Sequence, residues 1–228
     1  MTQPSPFRYF KTSPEIIRLA VMLYVRFPLS LRNVEDLLHE LGIEVSHETV
    51  RYWWNRFGPM FAAEVRKRRI QALKASRWSW HLDEVFVKIN GKTHYLWRAV
   101  DQEGEVLLRD RASALKFLKK LMKGHGTADE IVTDRLRSYG AAMKELQVTG
   151  HRTDRRWINN RAENSHLPFR RRERAMLRFR RMRSLQKFAS VHASVFNHFN
   201  HQRSLCSRSH FKQSRDAALD EWRGLCDA

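Results

Sequence analysis

The chain has 228 residues, of which 42% are hydrophobic and 11% aromatic, enough for a packed core and too many for a disordered polymer. Its formal net charge is +19, which favours a polyanionic partner: nucleic acid first, with RNA of the ribosomal kind and anionic membrane surfaces as the other classes. No apolar run approaches the ~18–20 residues of a membrane span, no leader-like stretch opens the chain, and Cys206 and Cys226 lack the spacing of a disulfide framework or zinc knuckle, so a cytoplasmic, nucleoid-associated protein without a membrane partner is expected.

The first segment reads as helical. Ser13-Pro14-Glu15 supplies an N-cap, a first-turn proline and a dipole-complementing acid. Ile16, Ile17, Leu19, Ala20, Leu23 and Tyr24 follow at helical spacing, and Phe27-Pro28 ends the helix. Ser30 caps a second helix, Leu31 to Leu41, with Val34, Leu37, Leu38 and Leu41 expected inward, and Gly42 breaks it. A third helix starts near Ser46, burying Val50, Trp53, Trp54 and Phe57. Two short helices around a Gly-containing turn are the outline of a helix-turn-helix, and Glu48, Arg51, Tyr52 and Asn55 fall on the polar face of the third helix, where they could meet base edges and phosphates. A plain three-helix bundle with a charged outer face has the same outline.

The basic stretch Glu64 to Arg77 reads as linker or helix extension. The period then changes to that of strands. Trp78 to Ile89 and Lys92 to Val100 flank Asn90-Gly91, the strongest short hairpin signal, and a third strand runs from Glu105 to Arg109. Leu115, Leu118, Leu121 and Met122 mark an amphipathic helix closed by Gly124 and Gly126. The short apolar run Ile131 to Thr133 ends in Asp134; a helix over Ser138 to Leu146, a basic connection and helices from about Asn160 to Leu205 complete the chain. Arg170 to Arg183 is dense in arginine but interleaved with Met176, Leu177, Phe179 and Met182, which implies order. Three antiparallel strands, a crossover helix, a further strand and more helices is the order of an RNase-H-like α/β fold, although other α/β domains share it.

Three acids carry the chemistry. Asp83 shares its strand face with Val85, Val87 and Ile89, and a carboxylate there needs a salt bridge, an edge position or a metal. Asp134 ends its strand at the usual place for a site residue in an α/β sheet. If the two strands pair, the carboxylates lie roughly 5 Å apart and repel by a few kcal/mol, a penalty that a divalent cation with oxygen ligands removes; magnesium or manganese suits such donors better than zinc. Glu163 follows Asn160 by three residues, in the first turn of a helix, where the alternative role is helix capping. Scattered His81, His166, His192 and His198 read as packing or DNA contacts, and Trp53, Trp54, Trp78 and Trp80 as core.

The strings Trp80-His81-Leu82-Asp83-Glu84, Thr133-Asp134 with Ser138-Tyr139-Gly140, and Asn159-Asn160-Arg161-Ala162-Glu163-Asn164-Ser165-His166 resemble the three catalytic blocks of DDE transposases, most closely the sixth insertion-sequence family. The resemblance spans roughly residues 10–215. It implies a triad of Asp83, Asp134 and Glu163 holding two Mg2+ or Mn2+ ions, with Asp83 bridging them. It also implies a homo-oligomer, at least a dimer, acting on double-stranded DNA at element ends and target. Glu173 is a rival third acid; Glu163 is preferred because the family's glutamate follows an Asn-Asn pair. The family's basic residue seven positions later corresponds to Arg170, beyond Pro168, and 28 residues separate Asp134 from Glu163, which implies a compact connection. Arg178 and Arg181 are further candidates for DNA contact.

The expected organisation is a helix-turn-helix domain with linker over residues 1–75, an RNase-H-like core over 76–205 and a tail over 206–228. The expected activity is binding of terminal inverted repeats followed by metal-dependent strand cleavage and strand transfer. A nuclease without strand transfer, or a helix-turn-helix regulator with an inactive core, are the alternatives.

Overall fold

The computed structural model describes residues 5–72, 79–100, 106–110, 114–125, 130–133, 137–148, 150–153, 160–200 and 207–226. The chain separates into two compact units: Met1–Leu73 with Arg171–Leu177 and Ser194–Ala228, and Lys74–Arg170 with Arg178–Ala193.

The first unit is helical. α1 (Pro14–Arg26) starts on Ser13 with proline in its first turn, although the Ser13 side chain makes no cap bond. α2 (Leu31–Glu40) opens with a capping box in which the Ser30 hydroxyl accepts from the Asn33 N–H and the Asn33 side chain accepts from the Ser30 N–H. It closes with Gly42 at φ +75°. The Gly42 and Ile43 N–H groups donate to the carbonyls of His39 and Leu38, which satisfies the helix end. Only Val34 and Leu38 of the four expected inward residues are buried; Leu37 and Leu41 are exposed, Leu41 at 65%. A ten-residue helix needs only a narrow stripe to seat on its neighbours, and these two leucines fall beside it.

α3 (His47–Ala72) buries Val50, Trp53, Trp54 and Phe57 and continues through Pro59 with Phe61, Ala62 and Val65 buried beyond it. The basic stretch after Glu64 is thus helix as far as Ala72, and Trp78 lies outside the described residues. Residues 206–228, read as a tail, contain α8 (Arg208–Arg223). Its Trp222 is buried, packs edge-on to Phe61 at 5.5 Å and donates from Nε1 to the Arg18 carbonyl at 3.1 Å; Arg18 Nε donates in return to the Leu225 carbonyl at 2.8 Å. A mostly polar segment becomes structural through one large apolar side chain.

The second unit holds a five-stranded sheet in the order β3-β2-β1-β4-β5. β1 (Ser79–Ile89), β2 (Lys92–Val100) and β3 (Val106–Asp110) form an antiparallel meander, while β4 (Glu130–Thr133) and β5 (His151–Thr153) run parallel to β1. The turn joining the first two has Asn90 at φ +51° and Gly91 at φ +78°, the paired left-handed residues that match the twist of a hairpin. The three-residue β5 lies inside the stretch read as a basic connection. α4 (Ala114–His125) and α5 (Arg137–Glu145) cover one sheet face, packing Phe117, Leu118, Tyr139 and Met143 against Trp80, Leu82 and Ile131. The other face of β1 buries Val85, Val87 and Ile89. α6 (Asn160–Ala175) and α7 (Met182–Phe199) follow, and Phe169, Phe179, Phe188 and His192 form one ring cluster.

Candidate active site

β1 carries Asp83 on the Val85 and Val87 face, since side chains alternate along a strand. Its side chain is 15% exposed. Oδ1 accepts the Glu84 N–H at 2.8 Å, which fixes the carboxylate relative to the strand, and Oδ2 lies 3.5 Å from His166 Nε2. Glu84 points to the opposite face and is buried. β4 lies beside β1 with Leu82 opposite Thr133. Asp83 follows Leu82 on β1; Asp134, next after Thr133 in the sequence, lies outside the described residues.

α6 brings His166 to this face. His166, equally shielded, touches Asp83. Glu163 precedes His166 by three residues in the first turn of α6, and its side chain lies outside the described set. Arg170 follows His166 by four residues and is half-buried. Positions 163, 166 and 170 lie within about 60° of one another around a helix, so they share one stripe. Pro168 sits inside α6 without ending it. Glu173, the rival acid, is buried in the segment 171–177 that belongs to the helical unit rather than to the unit of Asp83.

His166, which reads in the sequence only as packing or a DNA contact, stands beside Asp83, a placement that histidines counted singly do not signal. Its spacing of three after Glu163 and four before Arg170 was the available clue.

The other candidates occupy two places. Glu48, Arg51, Tyr52 and Asn55 are exposed on α3, where Arg51 Nη1 pairs with Glu48 Oε1 at 2.9 Å and Asn55 Nδ2 donates to the Arg51 carbonyl at 3.0 Å. Arg178 and Arg181 are exposed in the connection after α6, with Leu177 and Arg178 at φ +56° and +70°. Both follow the end of α6 at Ala175 and precede α7.

The profile of the DDE domain of IS240-type transposases matches residues 77–202. The transposase of the insertion sequence-like element IS431mec from Staphylococcus aureus is 34% identical over 172 residues, covering 70% of this chain and 75% of the relative. The chain belongs to the DDE transposases of the sixth insertion-sequence family. The transposase of element IS257 in transposon Tn4003, also from Staphylococcus aureus, is 33% identical over the same length. An intasome of simian T-cell lymphotropic virus aligns over 57% of this chain and 50% of its own with a TM-score of 0.35 and 16% identity, too slight a likeness to build on. No helix among the described residues is long and apolar enough to cross a membrane.

Membership makes the chain an enzyme of a class that uses divalent metal. The donors agree with that chemistry. Asp83 offers a shielded carboxylate, Oδ1 held by the Glu84 N–H and Oδ2 3.5 Å from His166, on the face that buries Val85 and Val87, and carboxylate oxygens are donors that suit a hard cation.

Proposed function

We propose that this transposase cleaves DNA strands at the ends of its element and joins the new 3′ ends to target DNA, using Asp83, Asp134 and Glu163 as its acids. The contact between Asp83 and His166 carries the reading: His166 stands three residues after Glu163 and four before Arg170 on α6, which supports a role for those two beside Asp83. The parallel register of β4 supports Asp134 as the second acid. The meander followed by two parallel strands, in the order β3-β2-β1-β4-β5, supports an RNase-H-like core. The membership of Glu173 in the helical unit supports Glu163 as the third acid.

Two Mg2+ or Mn2+ ions held by the three carboxylates would supply Lewis-acid stabilisation of the oxygens that attack and leave in an in-line displacement at phosphorus. The chain's own groups prepare that displacement. Asp83, held by the Glu84 N–H, keeps one orientation. His166 shields the carboxylate from water on the α6 side. Arg170 holds a non-bridging oxygen of the scissile phosphate, a role for which a planar cation is suited. α2 and α3 serve as the helix-turn-helix that reads terminal repeats, through Glu48, Arg51, Tyr52 and Asn55, while Arg178 and Arg181 neutralise backbone charge. Bringing two ends together requires at least a dimer.

The test is cleavage of a duplex carrying the DNA that flanks the gene, followed by transfer into a plasmid. Asp83→Asn, Asp134→Asn and Glu163→Gln should each abolish both steps with end binding retained, and Glu173→Gln should spare the chemistry of whatever protein folds. Cleavage without any transfer would instead make the chain a nuclease. An active Glu163→Gln protein would refute the assignment of the third acid.

A further inference from the structure

The segment before α1 is a turn, with Arg8 N–H donating to the Ser5 carbonyl and Phe10 N–H to that of Phe7. It alternates anchors with outward groups. Phe7 is buried and stacks on Phe57 at 4.9 Å, and Phe10 meets Phe57 edge-on at 5.0 Å. Phe10 also stacks on Tyr52 at 6.1 Å, and the Arg56 guanidinium lies over the Phe10 ring at 5.6 Å. Between the two anchors Tyr9 is 88% exposed, with the Arg8 guanidinium 5.5 Å above its ring; Lys11, next in the chain, is exposed as well.

We infer that Arg8, Tyr9 and Lys11 form a second DNA-contacting element, an arm that α3 holds in place and that meets the duplex beside the stretch met by α3. Three features carry this. Tyr52 belongs to the exposed polar face of α3, so its stack on Phe10 sets the arm at the edge of that face. The arm presents two cations and an amphipathic ring with no acid among them, on a chain with net charge +19, and sugar-phosphate backbone bordering a minor groove is the surface that such groups fit. Anchoring at Phe7 and Phe10 orders the segment before any partner arrives, so binding sacrifices little chain entropy. The inference rests on the reading that α3 faces duplex DNA, and it gives Tyr52 the additional task of positioning the arm.

The full chain tests it, with Arg8→Ala/Tyr9→Ala/Lys11→Ala leaving both anchors intact and Arg51→Ala reporting on α3. The probe is a duplex of about 40 base pairs, roughly four helical turns by groove repeat, taken from the DNA flanking the gene. In the arm variant, affinity at low salt should fall at least ~10-fold and the slope of log affinity against log salt should drop by about 1.8, or 0.9 for each of two phosphates. Hydroxyl-radical protection should disappear from one flank of the footprint and persist at its centre. An unchanged slope and footprint overturn the arm, whatever Arg51→Ala does; an acidic protein partner for these residues would give that same result. Loss in the arm variant with no effect of Arg51→Ala supports the arm and refutes the α3 reading.

Discussion

Arg172 stands in a string of arginines that, by composition, reads as a phosphate-binding surface. It is 1% exposed. Its Nη1 donates to the Leu29 carbonyl at 2.6 Å and its guanidinium lies 4.9 Å from the Tyr24 ring centre. Burial pushes its pKa down to about 10, against the opposing pull of Tyr24, so it stays charged at neutral pH. Arg172→Ala should therefore destabilise the helical unit by about 2–4 kcal/mol, from a lost bond to a buried carbonyl and from a cavity. The exposed neighbours Arg171 and Arg174 should each cost under about 0.5 kcal/mol on conversion to alanine. Urea unfolding separates the two, and equal losses would contradict a structural role for Arg172. At the active site, His166→Ala should lower the cleavage rate or raise the divalent-ion requirement by about 10-fold or more, the usual effect of removing a group that supports a ligand. End binding should not change. A metal titration of cleavage under saturating DNA decides it, and an unaltered titration with an unaltered rate would remove His166 from the site.

Elements answer to local rules more than single residues do. The Asn90-Gly91 pair dictates its hairpin because few other residues accept two consecutive positive φ values. α3 is subtler. Pro59 would ordinarily interrupt a helix and restrict the residue before it, and that residue is Gly58. A Cβ on Gly58 would come within 2.7 Å of the Trp54 ring. Alanine normally favours a helix over glycine by about 1 kcal/mol; here the buried ring has to move, and overpacking of this kind costs about 1–3 kcal/mol. Gly58→Ala should thus lower the thermal unfolding midpoint despite its better propensity. A rise would mean that the ring relaxes freely. Gly42→Ala, with open space around its Cβ position, should be destabilising only through its φ of +75°.

At the scale of the whole chain, the helical unit is assembled from sequence-distant parts. α8 joins it through Trp222, which Phe61, Phe199 and the Arg18 carbonyl surround. Trp222→Ala should cost about 3–5 kcal/mol, and a chain ending at Leu205 should unfold at a markedly lower temperature than the full chain. Equal melting of the two would make α8 an appendage. The net charge of +19 acts on a different property, association. Binding to random DNA should weaken steeply with salt, whereas the preference for terminal sequence, set by base edges, should change far less.

Composition and local pattern were sufficient for the strand and helix periods, the hairpin and the capped ends of α2, because each depends on neighbours within a few residues, and the resemblance of three short strings was sufficient for the family. They also carried the polyanionic partner, since charge sums over the chain regardless of fold. The three-residue β5 was hidden, because so short a strand exists only by pairing with β4. Leu37 and Leu41 looked inward because the sequence displays a stripe but not the width that neighbouring helices cover. Arg172 and Arg171 are equivalent as letters, yet one is buried beside Tyr24 and the other is exposed, a distinction made by packing across 148 residues of chain, from Tyr24 to Arg172. The approach of His166 to Asp83 has the same origin. Local spacing put each on its own element, and only the tertiary structure brought His166 to within 3.5 Å of Asp83, because the two stand far apart in the chain, beyond the reach of any local pattern.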